Sequence, residues 1–169
     1  MDQQIAITGL GGQGVLFLTR ILAECALEMG LPVITSETHG MAQRGGSVIS
    51  TVKVGAFRGP LIRAGQAGIM LVLDEGALEP FIHLLAPKGS LFLNAPKSQS
   101  YPIIDATGLA AGMGAPLIAN LVLLGFALRQ KKLFCDFSVA ETVVGKNSPS
   151  RFRDDNLKAL NLGYADSNS

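Results

Sequence analysis

The chain opens on an alternation that changes period within twenty residues. Ile5-Ala6-Ile7-Thr8 sets β-branched residues two apart, the period of a strand. Gly9-Leu10-Gly11-Gly12-Gln13-Gly14 follows as a glycine-dense turn. From Val15 the apolar positions Val15, Leu18, Ile21, Leu22 and Cys25 recur at three and four, the period of a helix. Gly30 and Pro32 read as its stop signals. Leu31 to Thr35 is a second strand, and a polar, glycine-rich segment runs from Ser36 to Gly46.

The same reading continues down the chain. Ser47 to Val54 alternates, with Val48, Ser50, Val52 and Val54 on one face; it predicts a strand solvated on one side and placed towards an edge. Gly55 to Gln66 is a second loop. Ile69 to Leu73 is a continuous apolar run between Gly68 and Asp74, the pattern of a central parallel strand. A short helix is expected over Ala77 to Leu85, and strands over Ser90 to Asn94 and Tyr101 to Asp105. Thr107 is expected to cap a brief helix ending at Gly112, and Pro116 to open a long apolar helix reaching about Arg129. Phe137 to Val144 and Arg151 to Leu160 are two more helices, and 166–169 a frayed tail. Strands alternating with helices imply one three-layer α/β/α domain over residues 1–165 with a mostly parallel sheet.

Composition narrows the function classes. Of 169 residues, 48% are apolar and only 16% charged, against about 25% charged in an ordinary soluble domain. Two readings fit: a partner covers part of the surface, or the core is rich in alanine, glycine and leucine. The longest apolar stretch, Ala115 to Leu128, contains Asn120 and falls short of the roughly 20 residues that cross a bilayer. No secretory leader is visible at Met1-Asp2-Gln3-Gln4. Net charge is +1, with no long basic run and no tryptophan, so no nucleic-acid footprint is expected. Arg129-Gln130-Lys131-Lys132 reads as a helix C-terminus, where cations favour the dipole.

Two cysteines, Cys25 and Cys135, form no C-x-x-C pair; a reduced, cytoplasmic chain is the simplest reading. An iron–sulfur cluster takes four thiolates, so this chain cannot hold one alone. With only His39 and His83 as histidines, no metal site is expected. His83, near Phe81 and Leu84, reads as structural or exposed.

The candidate chemistry lies in two loops. Gly9, Gly11, Gly12, Gln13 and Gly14 lead into a helix N-terminus, where free N–H groups can face an anion or a cofactor. The spacing Gly9-x-Gly11-x-x-Gly14, with Glu37 after the next strand, also satisfies the dinucleotide fingerprint and gives a stand-alone NAD- or flavin-binding reading. The bland alternative is a tight strand-to-helix turn. The second loop holds Thr38, His39, Gly40, Gln43, Arg44, Gly45 and Gly46. Arg44 offers a planar fork to a carboxylate or phosphate, or a salt bridge to a partner. His39 suits acid/base work or a bracing hydrogen bond, and Gln43 a bond to substrate or backbone. Gly45 and Gly46 let the loop lie close to another chain or ligand. Asn120, inside the apolar helix, reads as a satisfied core amide, with a neighbouring backbone or a ligand as other partners. Because the second loop follows a strand, a parallel sheet brings it to the same carboxyl-end edge as the glycine turn, as two walls of one crevice.

Gly9-Leu10-Gly11-Gly12-Gln13-Gly14-Val15 together with Thr38-His39-Gly40-Met41-Ala42-Gln43-Arg44-Gly45-Gly46-Ser47-Val48 resembles the gamma-type subunit or domain of the 2-oxoacid:ferredoxin oxidoreductases. The form of the second stretch is most similar to the small, beta subunit of the indolepyruvate enzymes. Gly59-Pro60-Leu61-Ile62, Gly114 to Gly125 and Asn156 to Tyr164 resemble further family segments, so the resemblance spans nearly the whole chain. Two departures are Gly59, where the family carries serine, and Ala67-Gly68, where it often carries Ala-Asp.

The resemblance implies one component of a heteromeric enzyme that cleaves a 2-oxoacid on thiamine diphosphate, sends electrons through iron–sulfur clusters to ferredoxin, and passes the acyl group to coenzyme A. It implies that a larger partner subunit carries the thiamine diphosphate and the clusters, that this chain alone holds no cofactor, and that it is inactive alone. The substrate it implies is indolepyruvate or another aryl-pyruvate. The equivalent subunit of a pyruvate or 2-oxoglutarate enzyme, or a non-catalytic scaffold, remain as alternatives.

Overall fold

In a computed structural model of the protein, which describes residues 2–38, 46–97 and 100–166, the opening alternation forms β1 (Gln3–Leu10) and the helical spacing forms α1 (Val15–Glu28). Val15, Leu18, Ile21, Leu22 and Cys25 make the buried stripe of α1. Gly30, at φ +69°, ends it, and Leu31 N–H returns to Ala26 O at 2.9 Å. Then come β2 (Val33–Thr38), β3 (Ser47–Val54), β4 (Ala67–Val72), β5 (Leu85–Asn94) and β6 (Ile103–Ile104). The remaining helices are α2 (Ala106–Gly112), α3 (Ala119–Arg129), α4 (Phe137–Asn147) and α5 (Arg153–Ala165).

One sheet takes the order β2-β3-β1-β4-β5-β6. β1, β4, β5 and β6 are parallel neighbours, with Ile5 opposite Ile69 and Ile7 opposite Leu71. β3 runs antiparallel to both β1 and β2, so the sheet is mostly parallel with one reversed strand. The apolar run at Ile69 is central, as its two-sided hydrophobicity requires.

Alternate residues separate two cores. Ile5, Ile7, Ile69, Leu71 and Phe92 face the helices, where Phe92 meets Phe126 of α3 edge-to-face at 6.0 Å. Ala6, Met70, Val72, Leu91 and Leu93 face the other side with Ile62 and Leu84. The α-helices described here pack on the first face; the second is covered by the 55–66 loop and by short 3-10 turns. The α/β class stands, and its third layer is thin.

Several local expectations are corrected. The Ala77 to Leu85 helix is replaced by two 3-10 turns, Glu75–Ala77 and Ile82–Leu84, with Pro80 between them. A proline inside that segment removes a donor and blocks the turn before it. β5 begins at Leu85, not Ser90. β3 is buried on both faces from Ile49 onwards and lies inside β2, which is the edge. The 55–66 loop covers its expected wet side: Thr51 Oγ1 donates to Pro60 O at 3.1 Å, and Lys53 Nζ donates to Leu61 O at 2.9 Å above the Phe57 ring. The cap of α2 is Asp105, whose carboxylate accepts from Gly108 N at 2.8 Å, rather than Thr107. Pro116–Ile118 is a 3-10 turn that leads into α3.

α3 and α5 cross at two glycines. A Cβ on Gly125 would overlap Leu160 O, and one on Gly163 would overlap Val122 O. Arg129, in the last turn of α3, donates from Nη1 to Tyr164 O and Asp166 O at the end of α5. Asp166 is therefore held to the fold; 167–169 lie outside the described residues.

Candidate functional site

The carboxyl ends of β1, β4 and β5 meet at one edge of the sheet, where apolar runs close on polar residues. β1 passes into the glycine turn, β4 and Leu73 lead to Asp74, and β5 closes on Asn94. In parallel α/β sheets this edge holds the ligand crevice.

The glycine turn is locked largely by its own atoms. Leu10 N–H donates to Gln13 Oε1 at 2.7 Å, and Gln13 N–H returns to Leu10 O at 3.1 Å. Gln13 Nε2 donates to Asp74 Oδ2 at 3.1 Å, while Asp74 Oδ1 accepts from Gly76 N at 2.9 Å. Gly14, at φ +84°, is the N-cap of α1 and brings no side-chain cap. Its carbonyl accepts from Asn120 Nδ2 at 3.3 Å, and Asn120 Oδ1 accepts from Leu121 N at 2.8 Å. Asn120 is thus a satisfied buried amide that also pins the turn to the start of α3.

The second loop meets the first at a backbone hydrogen bond. Gly11 N–H donates to Gly46 O at 3.3 Å, and Leu10 lies opposite Ser47 in the β1–β3 register. β2 and β3 pair antiparallel, so Thr38 and Ser47, the strand residues on either side of the 39–46 segment, both lie at the carboxyl edge of β1. The common edge follows from an antiparallel pair, where a parallel pair was expected. His39, Gly40, Gln43, Arg44 and Gly45 lie outside the described residues; Thr38 closes β2, and Gly46 leads into β3.

That pairing breaks the dinucleotide reading. The fingerprint needs its acidic residue on the strand beside the glycine turn. Here β3 intervenes, and Glu37 pairs with Ser50 on the edge strand, about two strand spacings or ~10 Å from β1. The turn's amides at Leu10, Gly11 and Gln13 are taken by Gln13 Oε1, Gly46 O and Leu10 O. The Asp74 carboxylate beside Gln13 opposes a second negative charge there.

Asp74 and Asn94 were not singled out in the sequence. Asn94 Nδ2 donates to Leu73 O at 2.9 Å and to Thr107 Oγ1 at 2.8 Å, while its Oδ1 accepts from Thr107 N at 3.1 Å. It ties the ends of β4 and β5 to the start of α2. The available signal was position, a polar residue directly after an apolar parallel strand. Gly12, Gln13, Asn94, Thr107 and Asn120 line a small cavity of about 130 Å³ at this edge. Among the described residues no cluster of histidine, cysteine or carboxylate side chains is arranged to hold a metal ion, and no helix is long and apolar enough to cross a membrane.

Comparison with known proteins places these features in a family. The family profile described as "Pyruvate ferredoxin/flavodoxin oxidoreductase" matches residues 4–165. The indolepyruvate oxidoreductase subunit IorB of Archaeoglobus fulgidus is 32% identical over 190 aligned positions, covering 97% of this chain and 94% of that protein. The protein of the same name from Pyrococcus horikoshii is 30% identical, covering 96% and 94%. Among solved structures, the pyruvate oxidoreductase subunit PORC of Thermotoga maritima superposes with a TM-score of 0.79 at 25% identity, covering 96% of this chain and 95% of that one. A chain of the 2-oxoglutarate:ferredoxin oxidoreductase of Magnetococcus marinus gives a TM-score of 0.79 at 20% identity; it covers 97% of this chain but 30% of the other, so there the same fold is one part of a longer polypeptide.

Proposed function

The chain belongs to the pyruvate ferredoxin/flavodoxin oxidoreductase family, and on that footing we propose that it works as the small subunit of a heteromeric indolepyruvate:ferredoxin oxidoreductase. The observation that carries the reading is coverage in both directions. Chain and relative match over 97% and 94% of their lengths, and the relative is itself named a subunit.

The chain's own chemistry supports a division of labour. It has two cysteines, both buried, where a cluster takes four. No donor set among the described residues suits a metal ion, so its residues do not fit an iron–sulfur cluster. We assign the thiamine diphosphate and the clusters to a larger partner subunit. Decarboxylation on the thiamine diphosphate, electron transfer through the clusters to ferredoxin and acyl transfer to coenzyme A belong to the assembled complex.

In this reading the glycine turn and the 38–46 segment form two walls of one crevice, which that partner completes. The Gly11–Gly46 bond supports it, because it joins the two stretches at the carboxyl edge. His39, Gln43 and Arg44 are its candidates for contact with substrate or partner. The cytoplasm is the expected compartment.

The test is co-expression with the larger subunit, followed by purification through a tag on this chain. The expected result is a stable complex that reduces ferredoxin with indolepyruvate and coenzyme A, and does so faster than with pyruvate or 2-oxoglutarate. Recovery of the free chain alone overturns the reading. Higher rates with pyruvate or 2-oxoglutarate overturn the substrate assignment. In the complex, Arg44→Ala separates two roles: lost turnover with assembly intact marks contact with the reacting site, and lost assembly marks the interface.

A further inference from the structure

A second and larger cavity lies behind the glycine turn, between the start of α1, the 3-10 turn before α3 and the link from α4 to α5. Its volume is about 590 Å³, within the range of small-molecule pockets. Phe17, Pro116, Leu117, Ile118, Pro149 and Phe152 make an apolar lining, and it touches the crevice through Gly14 and Asn120. Two of its large apolar side chains remain in solvent: Leu117 is 80% exposed and Phe152 46%.

Its polar groups narrow what it takes. Asn120 has both ends engaged, on Gly14 O and Leu121 N. Asn156 lines the cavity at 6% exposure, and its Nδ2 donates to Ser148 Oγ at 2.8 Å. Among the described residues no donor meets its Oδ1, which is not fully enclosed and is open to accept a hydrogen bond. The Asp155 carboxylate at the mouth is a second acceptor. Among the described residues no lysine or arginine lines the space itself, and the Arg151 guanidinium lies over the Phe152 ring at its lip, 4.5 Å from the centroid. The Asn156 and Asp155 acceptors disfavour an anion or a phosphate inside the cavity, whereas a donor would complete the Asn156 carbonyl.

We propose that this cavity binds a flat aromatic group carrying one N–H or O–H donor, as an indole or a phenol does. The ring lies against Phe17, Phe152 and the two prolines, and the donor meets Asn156 Oδ1. A carboxylate on such a ligand must point out of the cavity, away from Asp155. Resting on the function proposed above, that aromatic group is the side chain of an aryl 2-oxoacid or of its acyl product.

The full chain tests this directly. It contains no tryptophan, so the fluorescence of an added indole reports on the ligand alone when excited beyond the tyrosine band. Indole is expected to bind saturably, and 1-methylindole, which lacks the donor, about tenfold more weakly. Ala115→Leu, which narrows the cavity at a half-buried position, and Phe152→Ala, at an exposed one, are each expected to weaken indole about tenfold with the circular dichroism unchanged. Failure to saturate, equal binding of the two ligands, or unchanged binding in both variants overturns the site. So does finding that only a partner side chain fills the cavity: no indole bound by the free chain, and loss of the larger subunit on Leu117→Ser. The function itself separates from this outcome. A complex whose KM for indolepyruvate is unmoved by Ala115→Leu overturns the assignment of this cavity to substrate and leaves the subunit reading standing. A chain that binds indole and captures no larger subunit does the reverse.

Discussion

The Asn120 amide occupies the space that a side chain on Gly14 would need. Its Nδ2 donates to the Gly14 carbonyl at 3.3 Å, and a Cβ on Gly14 would overlap that nitrogen. Gly14 also holds φ +84°, a region that costs other residues about 1–2 kcal/mol. Gly14→Ala is expected to lower stability by about 2–3 kcal/mol, combining that strain with a displaced hydrogen bond. Part of the loss should return in the Gly14→Ala, Asn120→Ala double variant. A double-mutant cycle by denaturant unfolding measures the coupling, and strict additivity would remove the relationship.

Gln13 bridges Leu10 N–H and the Asp74 carboxylate. Gln13→Glu keeps the acceptor for Leu10 but sets two carboxylates together. The new carboxyl resists ionisation in the folded state, so its folded pKa lies above the unfolded value of about 4.3. Stability is then retained below that value and lost as pH rises through the folded pKa. Thermal unfolding from acid to neutral pH should show Gln13→Glu falling further below the parent as pH rises. Gln13→Ala, which adds no charge, should show a loss with little dependence on pH.

The crossing of α3 and α5 leaves no room for a methyl group at either glycine. Gly125→Ala or Gly163→Ala must push backbone from backbone, because the atoms met are the carbonyls of Leu160 and Val122. The expected cost is about 3 kcal/mol or more, at the upper end for overpacking. Chemical denaturation of each variant decides it, and a cost under about 1 kcal/mol would contradict the close approach.

Cys25 and Cys135, distant in sequence, share one core cluster. A hydrogen bond with the Cys135 thiol, followed by burial, pushes the Cys25 thiol well above its ordinary value of 9.0. In the folded chain it stays protonated where an unfolded thiol would ionise. The stability this provides is complete below pH 9.0 and declines as pH rises above it. Neither buried thiol should react with iodoacetamide until the chain unfolds, and alkylation should track the unfolding curve. Rapid native alkylation of Cys25 would contradict the pairing.

What the sequence disclosed was local. The Val15 to Cys25 spacing and the Ile69 to Val72 run each carry their period within a few residues, and both formed the elements expected. Pro80 was equally local and was decisive against a helix. The position of β3 was different. Thr51 and Lys53 read as a wet face, and they are dry because Pro60 and Leu61 fold back over them. The placement of β3 between β2 and β1 is a choice of partners across the chain that no single segment encodes. It turned the Glu37 fingerprint into a coincidence while preserving the shared edge. The cavity around Asn156 draws on residues from 14 to 156, so neither its acceptor nor its apolar lips had a local signature.

The position of β1 has a consequence for synthesis. β1 is made before both of its neighbours and ends up inside the sheet, flanked by β3 at residues 47–54 and β4 at residues 67–72. Until those segments have been made, both edges of an apolar strand stand open to pairing with any other chain. The vulnerable interval therefore ends only after residue 72 has emerged, and conditions that slow elongation before that point should increase aggregation of the nascent chain more than a pause placed within α5.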